Sequence, residues 1–564
     1  MASKRWIVAS PISDSARAAL RDYPFIVAQL LFARGLGDAA DAQRFFSAQL
    51  AQPDDPFLIT GLGEAVDRLQ SAIKNNERIA VYGDYDTDGV TATALLVQVL
   101  TALGATVQPY IPNRYDEGYG LNTEALNTLQ AQGVSVVITV DCGIRSLAEA
   151  DAARALGLDL ILTDHHTPGP ELPRAFALVN PKQPGDTYPE KGLAGVGLAY
   201  KIAQGLVRPL GAQPPITGSD VLDLVALGTV ADLAPLTGEN RKLVRDGLRV
   251  LNRAKREGVK SLLMVSRLKP GGVDAVSIGF ALGPRLNAAG RLESALAAYD
   301  LLTTADVFTA NRLATQLEQQ NRDRQDLTRL THAHARQLAL ETDPDAPLLF
   351  AAHPDFKDGI VGLAAARLTE EFYRPAVVAH QGEKETKGSA RSIREFHITE
   401  AFDECQHLLI RHGGHAAAAG FTAETRNVEE LAQTLREIAH RKLADFDLRP
   451  ALQVDVDEVK LSDLTGELVS YLEQFQPCGY SNPTPVFAAR GLKVTFSKTV
   501  GADASHLKLT LSDGKANIDA IAFRLGPMQA KLPARVDVAF NLEMNEWNGE
   551  KRMQLNVRDL KASE

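Results

Sequence analysis

"VYGDYDTDG", residues 81–89, sets Asp84, Asp86 and Asp88 on alternate positions directly after an apolar run. Side chains alternate along an extended segment, so Asp84 and Asp86 bracket Tyr85 and can face one side. Gly83 and Gly89 predict a tight turn around them. Three carboxylates held close repel one another, and the penalty grows as water is excluded. Something positive has to share the site.

The arrangement recurs along the chain. "VITVDCG" (137–143) ends an apolar run on Asp141, and "LILTDHH" (160–166) ends one on Asp164, His165 and His166. "ALGTVADLAPL" (226–236) puts Asp232 after a further apolar run. Ligands of open parallel sheets collect at the carboxyl ends of the strands, so four segments are expected to deliver Asp and His to one edge of one sheet. Carboxylate and imidazole without thiolate suit Mn²⁺ or Mg²⁺ better than a structural zinc. Each motif alone has a plainer meaning: a turn or calcium loop for DxDxDG, a capping Asp beside surface histidines for DHH. Their recurrence in consecutive units points to a metal site. Cys142 reads as a small buried residue beside Asp141.

Composition narrows the classes. With 564 residues, two to four domains are expected. The balance of 60 Lys+Arg against 70 Asp+Glu gives a formal charge of −10, which excludes general affinity for polyanions. A nucleic-acid site would have to be a local basic cleft on an acidic body. Cys142, Cys405 and Cys478 are isolated and odd in number, against a disulfide framework or cysteine zinc site. The N-terminus lacks an apolar core of signal-peptide type, and no apolar run approaches membrane-spanning length. These features predict a soluble, cytoplasmic protein.

Residues 1–75 look helical and polar, a lead-in to the first strand. Over 76–304 short apolar runs alternate with helical stretches, the pattern of a parallel α/β sheet. The strand candidates are 78–83, 106–111, 134–140 and 158–163. Residues 305–342 contain no Gly or Pro and are charged nearly all round, which predicts a helix of roughly 50 Å bridging two bodies. A smaller α/β unit is expected over 343–445. Residues 446–564 turn β-rich, with five short strands and glycine-bearing turns that suggest a small closed barrel of the oligonucleotide/oligosaccharide-binding (OB) type.

Taken in order, DxDxDG, VDCG, TDHH and GTVADLAPL resemble the four motifs of the DHH phosphoesterase superfamily. Downstream, "GPRLNAAGRL" (283–292), "KGSARSI" (387–393), "RHGGHAAAAGF" (411–421) and "FQPCGYSNPTPVF" (475–487) are similar to its RecJ branch, with a DHHA1 domain and a terminal barrel. The resemblance covers nearly the whole chain past residue 75. It implies a bacterial single-strand-specific DNA exonuclease working 5′ to 3′ with one or two Mn²⁺ or Mg²⁺ ions, in DNA repair and recombination. It implies Asp84, Asp86, Asp141, His165 and Asp232 as metal ligands, with Asp141 bridging. His166 would touch the scissile phosphate or a ligand, while Asp88 and Asp164 orient the shell. Single-strand-binding protein and a helicase are implied partners. Two departures stand out: Asp358 in "FKDGIVG", where many relatives have His, and Tyr480-Ser481 in "PCGYSNP".

Basic residues with small neighbours mark the expected DNA contacts. Arg285, Asn287 and Arg291 cluster in "GPRLNAAGR", and Ser389 and Arg391 in "GSAR". Small flanking residues let phosphate oxygens reach both backbone N–H and side-chain donors. "HGGH" adds His412, Gly413, Gly414 and His415, with glycines that admit close backbone approach. Within the superfamily, a nanoRNase or other oligonucleotide phosphodiesterase is the alternative, although such chains usually lack the barrel. A non-catalytic scaffold and a plain nucleic-acid-binding module are the others.

Overall fold

The computed structural model describes residues 4–113, 120–211, 213–292, 294–547 and 550–563. Five parallel strands form the first sheet: Arg78–Gly83, Thr106–Tyr110, Val134–Val140, Asp159–Thr163 and Ala177–Val179. Across the sheet, Thr106–Tyr110 lies at one edge, then Arg78–Gly83, Val134–Val140, Asp159–Thr163 and Ala177–Val179. The chain places its second strand on one side of the first and all later strands on the other. The order therefore reverses between Arg78–Gly83 and Val134–Val140, which opens a crevice at their carboxyl ends. Strands such as VSVVITV are almost wholly buried because helices cover both faces. The four expected strands agree with the structure to within one residue. Ala177–Val179 was not expected, since three residues carry too little alternation to register.

One expectation changes. The run before Asp232 is not a strand: it is the helix Leu222–Ala231, with Asp232 at its C-cap. The run LDLVALGTVA is buried on all sides, and an unbroken apolar stretch does not distinguish a strand from a buried helix. Asp232 thus reaches the crevice from a helix end.

The bridging helix is Val307–Thr342, 36 residues or about 54 Å long. Its first half buries Ala310, Leu313, Ala314 and Leu317 in the core of the first unit. Its second half buries Ala335 and Ala339 against the second unit. That unit has a mixed sheet in the order Arg411–His415, Ala418–Glu424, Glu385–Arg391, Ala376–Gln381 and Leu349–His353. Only the last two are parallel.

The terminal strands Phe487–Val500, His506–Ser512, Asn517–Ala522, Arg535–Trp547 and Glu550–Ala562 close into a five-stranded barrel. The N-terminal segment belongs with this barrel as much as with the first sheet. Strand Arg5–Val8 runs parallel to Ala451–Val454. Leu20, Val27, Leu30 and Leu31 share one core with Phe475, Phe487 and Phe540, and the Arg34 guanidinium stacks over the Phe475 ring at 4.8 Å. Only from about Ile59 onward does the chain join the first core, through helix Leu62–Lys74. The expected lead-in over 1–75 is therefore divided between two bodies. Helix Phe25–Ala33 is apolar along nearly its whole length and buries Val27–Leu31, without its sequence naming the partner. Among the described residues, no helix is long and apolar enough to cross a membrane.

Candidate metal centre

Helix Thr87–Ala102 starts directly after the first strand, and Asp86 is its N-cap. Asp86 Oδ1 accepts hydrogen bonds from the backbone N–H of Asp88 (2.9 Å) and Gly89 (3.1 Å), as capping aspartates do. The glycines serve close approach rather than a turn. A Cβ at Gly89 would lie 2.6 Å from both the N and the O of Asp84. Asp88 points inward, accepting from Gly195 N (2.6 Å) and Val196 N (2.8 Å) at the start of helix Gly195–Val207. A helix N-terminus favours a carboxylate. Burial and the Asp86 carboxylate nevertheless push Asp88 up to about 7.

Asp141 follows the central strand with φ +64°. Its Oδ1 lies 3.0 Å from His165 Nε2 and 3.9 Å from His166 Nδ1. His165 Nε2 is also 3.8 Å from Asp232 Oδ2 and 4.0 Å from Asp88 Oδ2. Three overlapping groups have ligand atoms within 4.8 Å of one another: Asp84/Asp86/Asp141, Asp88/His165/Asp232 and Asp141/His165/His166. Asp141 and His165 each belong to two of them. Asp164 Oδ1 receives both the backbone N–H of His166 (3.0 Å) and its Nδ1 (2.7 Å). Its other oxygen accepts from Ile144 N (2.9 Å).

The electrostatics show what is missing. Burial, reinforced by Asp88, Asp86, Asp84 and Asp232, lifts Asp141 well above the carboxylate range. Burial with Asp88 and Asp86 pushes Asp232 up to about 9. Burial, aided by neighbouring His166, pulls His165 down to about 3, so its ring is neutral and carries a lone pair. Asp164 stays below its ordinary value despite burial, because it is hydrogen-bonded to His166. Asp141 Oδ1 and His165 Nε2 are buried, 3.0 Å apart, and neither has a hydrogen-bond partner among the described residues. Two buried ligand atoms held this close with no hydrogen bond between them fit a shared cation. The donors are oxygens and imidazole nitrogens, the set that suits Mn²⁺ or Mg²⁺. Cys142 turns instead into a hydrophobic cluster.

Two cavities flank the strand Arg411–His415. One, about 1,010 Å³, lies over the metal edge and is lined by His165, His166, Asp232, Gly414 and His415. The other, about 560 Å³, lies between the two α/β units and is lined by Tyr85, Arg291, Ser389, Arg391, His412 and Gly413. Arg391 Nη1 donates to Ser389 Oγ at 2.9 Å, and His412 Nε2 lies 2.8 Å from Asp403. The structure separates the residues of "GPRLNAAGR". Arg291 lines the cavity. Arg285 instead pairs with Glu318 of the bridging helix at 2.7 Å. Asn287 Oδ1 accepts from Thr87 N (2.7 Å) and Thr87 Oγ1 (2.8 Å). Sequence reasoning missed Arg145 and Lys182 in the metal-edge cavity, and Lys387 and Arg411 in the other. Lys182 follows Ala177–Val179, so recognising that short strand would have found it.

Models of three families match the chain: the DHH family N-terminal domain over residues 78–229, the DHHA1 domain over 345–441 and the RecJ OB domain over 455–559. The chain is 39% identical over 571 residues to the single-stranded-DNA-specific exonuclease RecJ of Bacillus subtilis, covering 100% of this chain and 72% of that one. It is 33% identical over 568 residues to the Escherichia coli protein of the same name, covering 96% of each. The crystal structure of RecJ in complex with Mn²⁺ from Thermus thermophilus matches with a TM-score of 0.85 at 32% identity, over 99% of this chain and 80% of that one. A Mg²⁺ complex from the same organism matches with a TM-score of 0.79 at 30% identity.

Proposed function

Since the chain belongs to the RecJ family, we propose that it is a metal-dependent exonuclease that degrades single-stranded DNA from the 5′ end to 5′-mononucleotides. The observation that carries this reading is the buried pair Asp141 Oδ1 and His165 Nε2, without a hydrogen-bond partner among the described residues, at the edge of the cavity lined by His165, Asp232 and His415. Bound Mn²⁺ or Mg²⁺ supplies Lewis-acid activation of water and neutralises charge at the scissile phosphate. Asp84, Asp86, Asp141, His165 and Asp232 are the proposed ligands. Asp141, common to two of the ligand groups, is the proposed bridge. Asp88 anchors the loop through Gly195 and Val196, and Asp164 fixes the His166 ring so that it faces the phosphate. None of these carboxylates needs to act as a nucleophile.

Polarity comes from the second cavity. Arg391, Ser389 and Arg291 hold a terminal 5′ phosphate, while His412, Gly413, Gly414 and His415 line the path to the metal edge. An anchored terminus admits an end and rejects a closed strand. The barrel extends the track for long strands by backbone contacts. Repair and recombination are the processes this activity serves, in the cytoplasm and at the nucleoid, with single-strand-binding protein and a helicase as recruiting partners. The barrel matched by the RecJ OB model disfavours a nanoRNase. Oligonucleotides labelled at 5′ or 3′, digested with Mn²⁺, test the reading. Mononucleotide should appear first from the 5′ label, and a circle should resist. Mononucleotide appearing first from the 3′ label, or steady cutting of the circle, would overturn it.

A further inference from the structure

We propose that Asn287 is a positioning residue for the metal loop, and not a contact to DNA as its motif suggests; this rests on the function proposed above. Asp86 caps helix Thr87–Ala102 through the N–H groups of Asp88 and Gly89. The first N–H of the helix, on Thr87, lies outside that cap. Asn287 Oδ1, two hundred residues later in the chain, accepts it at 2.7 Å together with the Thr87 hydroxyl at 2.8 Å. A backbone N–H can only donate, so the amide must present its oxygen here. Thr87 is buried, and the acceptors flanking it in the chain are the Asp86 and Asp88 carboxylates. Without Asn287 the Thr87 hydroxyl still has Gly283 O at 3.3 Å, but its N–H is left to compete for the Asp86 carboxylate, and Asp86 leaves the group it forms with Asp84 and Asp141.

The surrounding structure supports a brace. Helix Gly283–Leu292 lies against the loop so closely that a Cβ at Gly290 would sit 2.5 Å from Tyr85 O. A π turn at Ile278–Leu282 immediately precedes it. Such turns insert an extra residue and shift the phase of the helix beyond them, often at functional sites. That phase turns Asn287 to Thr87 and, one turn later on the same face, Arg291 to the Ser389/Arg391 cavity. One helix thus braces the metal loop and arms the anion cavity.

Three variants test this: Asn287→Leu, Asn287→Asp and Thr87→Val. The readouts are Mn²⁺ affinity by calorimetry, kcat and KM on 5′-phosphorylated single strands, and hydrolysis of bis(p-nitrophenyl) phosphate, which offers no strand to grip. Asn287→Leu should lose about 10–100-fold in Mn²⁺ affinity or kcat on both substrates, as outer-shell partners of metal ligands do. Its KM for DNA should stay within about twofold. Asn287→Asp keeps the acceptor and should retain most of the activity. Thr87→Val should show a smaller loss that adds nothing to Asn287→Leu. A raised KM with unchanged kcat and Mn²⁺ affinity would make Asn287 a strand contact and overturn the proposal. Equal losses in Asn287→Asp and Asn287→Leu would also overturn it. Should Asn287→Leu not fold, unchanged Mn²⁺ affinity in Thr87→Val would overturn it. A wild-type enzyme that binds Mn²⁺ but cuts no single strand would refute the proposed function and leave the affinity arm decisive for Asn287.

Discussion

The metal crevice and the cavity between the two α/β units are opposite in charge. At the metal edge, Asp84, Asp86, Asp88, Asp141 and Asp232 converge in a buried crevice, and the carboxyl groups of Asp88, Asp141 and Asp232 are pushed up toward neutrality. In the cavity between the units, Arg291, Lys387, Arg391 and Arg411 converge, with Asp358 the one carboxylate among the described lining residues. Burial there pulls the Arg391 guanidinium below its ordinary value. Each site gathers like charges at a cost, because desolvation makes charge expensive. On the function proposed above, cations complete the first and a phosphate completes the second. On the same reading, a strand end would bring its phosphate to both, the route by which a protein of formal charge −10 would grip DNA.

Four substitutions and conditions would break or sharpen this contrast. The largest effect belongs to Asp141→Asn, which removes the charge common to two ligand groups. Hydrolysis should fall by more than about 100-fold, beyond the cost of losing an outer-shell partner. The same change should raise the melting temperature of the metal-free protein, since a crowded buried carboxylate disappears. Retained activity with unchanged circular dichroism would remove Asp141 from the metal site.

Arg391→Ala tests the other cavity. A charge-assisted phosphate contact is worth about 1.5–3 kcal/mol, so preference for 5′-phosphorylated over 5′-hydroxyl strands should drop about ten- to a hundredfold. Parallel assays on both strands measure it. Equal losses on the two would reduce Arg391 to a general backbone contact.

Next comes the pH response of the metal-free protein. Asp88 is raised to about 7 and Asp232 to about 9, and Asp141 well above its ordinary value. The folded state therefore holds protons that the unfolded chain has released. Its stability must fall as pH rises through those values. Above about pH 6.5 the imidazole of His165 is neutral in both states and adds no opposing slope. The melting temperature in EDTA should fall between about pH 6.5 and 9, by about 2–4 °C per kcal/mol lost. Saturating Mn²⁺ should raise it most at the alkaline end. A flat profile would mean that the carboxylates are not crowded without metal.

The smallest effect is expected for Arg285→Ala. Its guanidinium pairs with Glu318 of the bridging helix, so the variant should lose about 1–2 kcal/mol of stability in urea melts with KM for DNA unchanged. A raised KM would return Arg285 to the basic cleft and enlarge it.

Much of the candidate metal site was legible in the sequence. Asp84, Asp141, His165 and His166 follow strands whose apolar runs are short and bounded, and strand ends are where a parallel sheet gathers ligands. Bounded apolar runs therefore located the residues, and their mixed oxygen and imidazole chemistry pointed to the metals. Asp232 was found for the wrong structural reason: its run forms a helix, and unbroken apolarity does not reveal the period.

What local pattern determined, then, were the strand ends, the bridging helix and the barrel strands, since each depends on residues near in the chain. Tertiary structure decided everything that depends on which face meets which partner. It turned Asn287 inward to Thr87, gave Arg285 to Glu318 and placed Arg291 in the lining of the cavity between the α/β units, although all three share one motif. It also brought helix Phe25–Ala33 to the barrel across more than four hundred residues of chain, where Leu30 and Leu31 meet Phe475 and Phe540 in one core. Hydrophobic burial is non-directional and specifies no partner, so composition alone shows that such a helix is covered; only the packed structure shows by what.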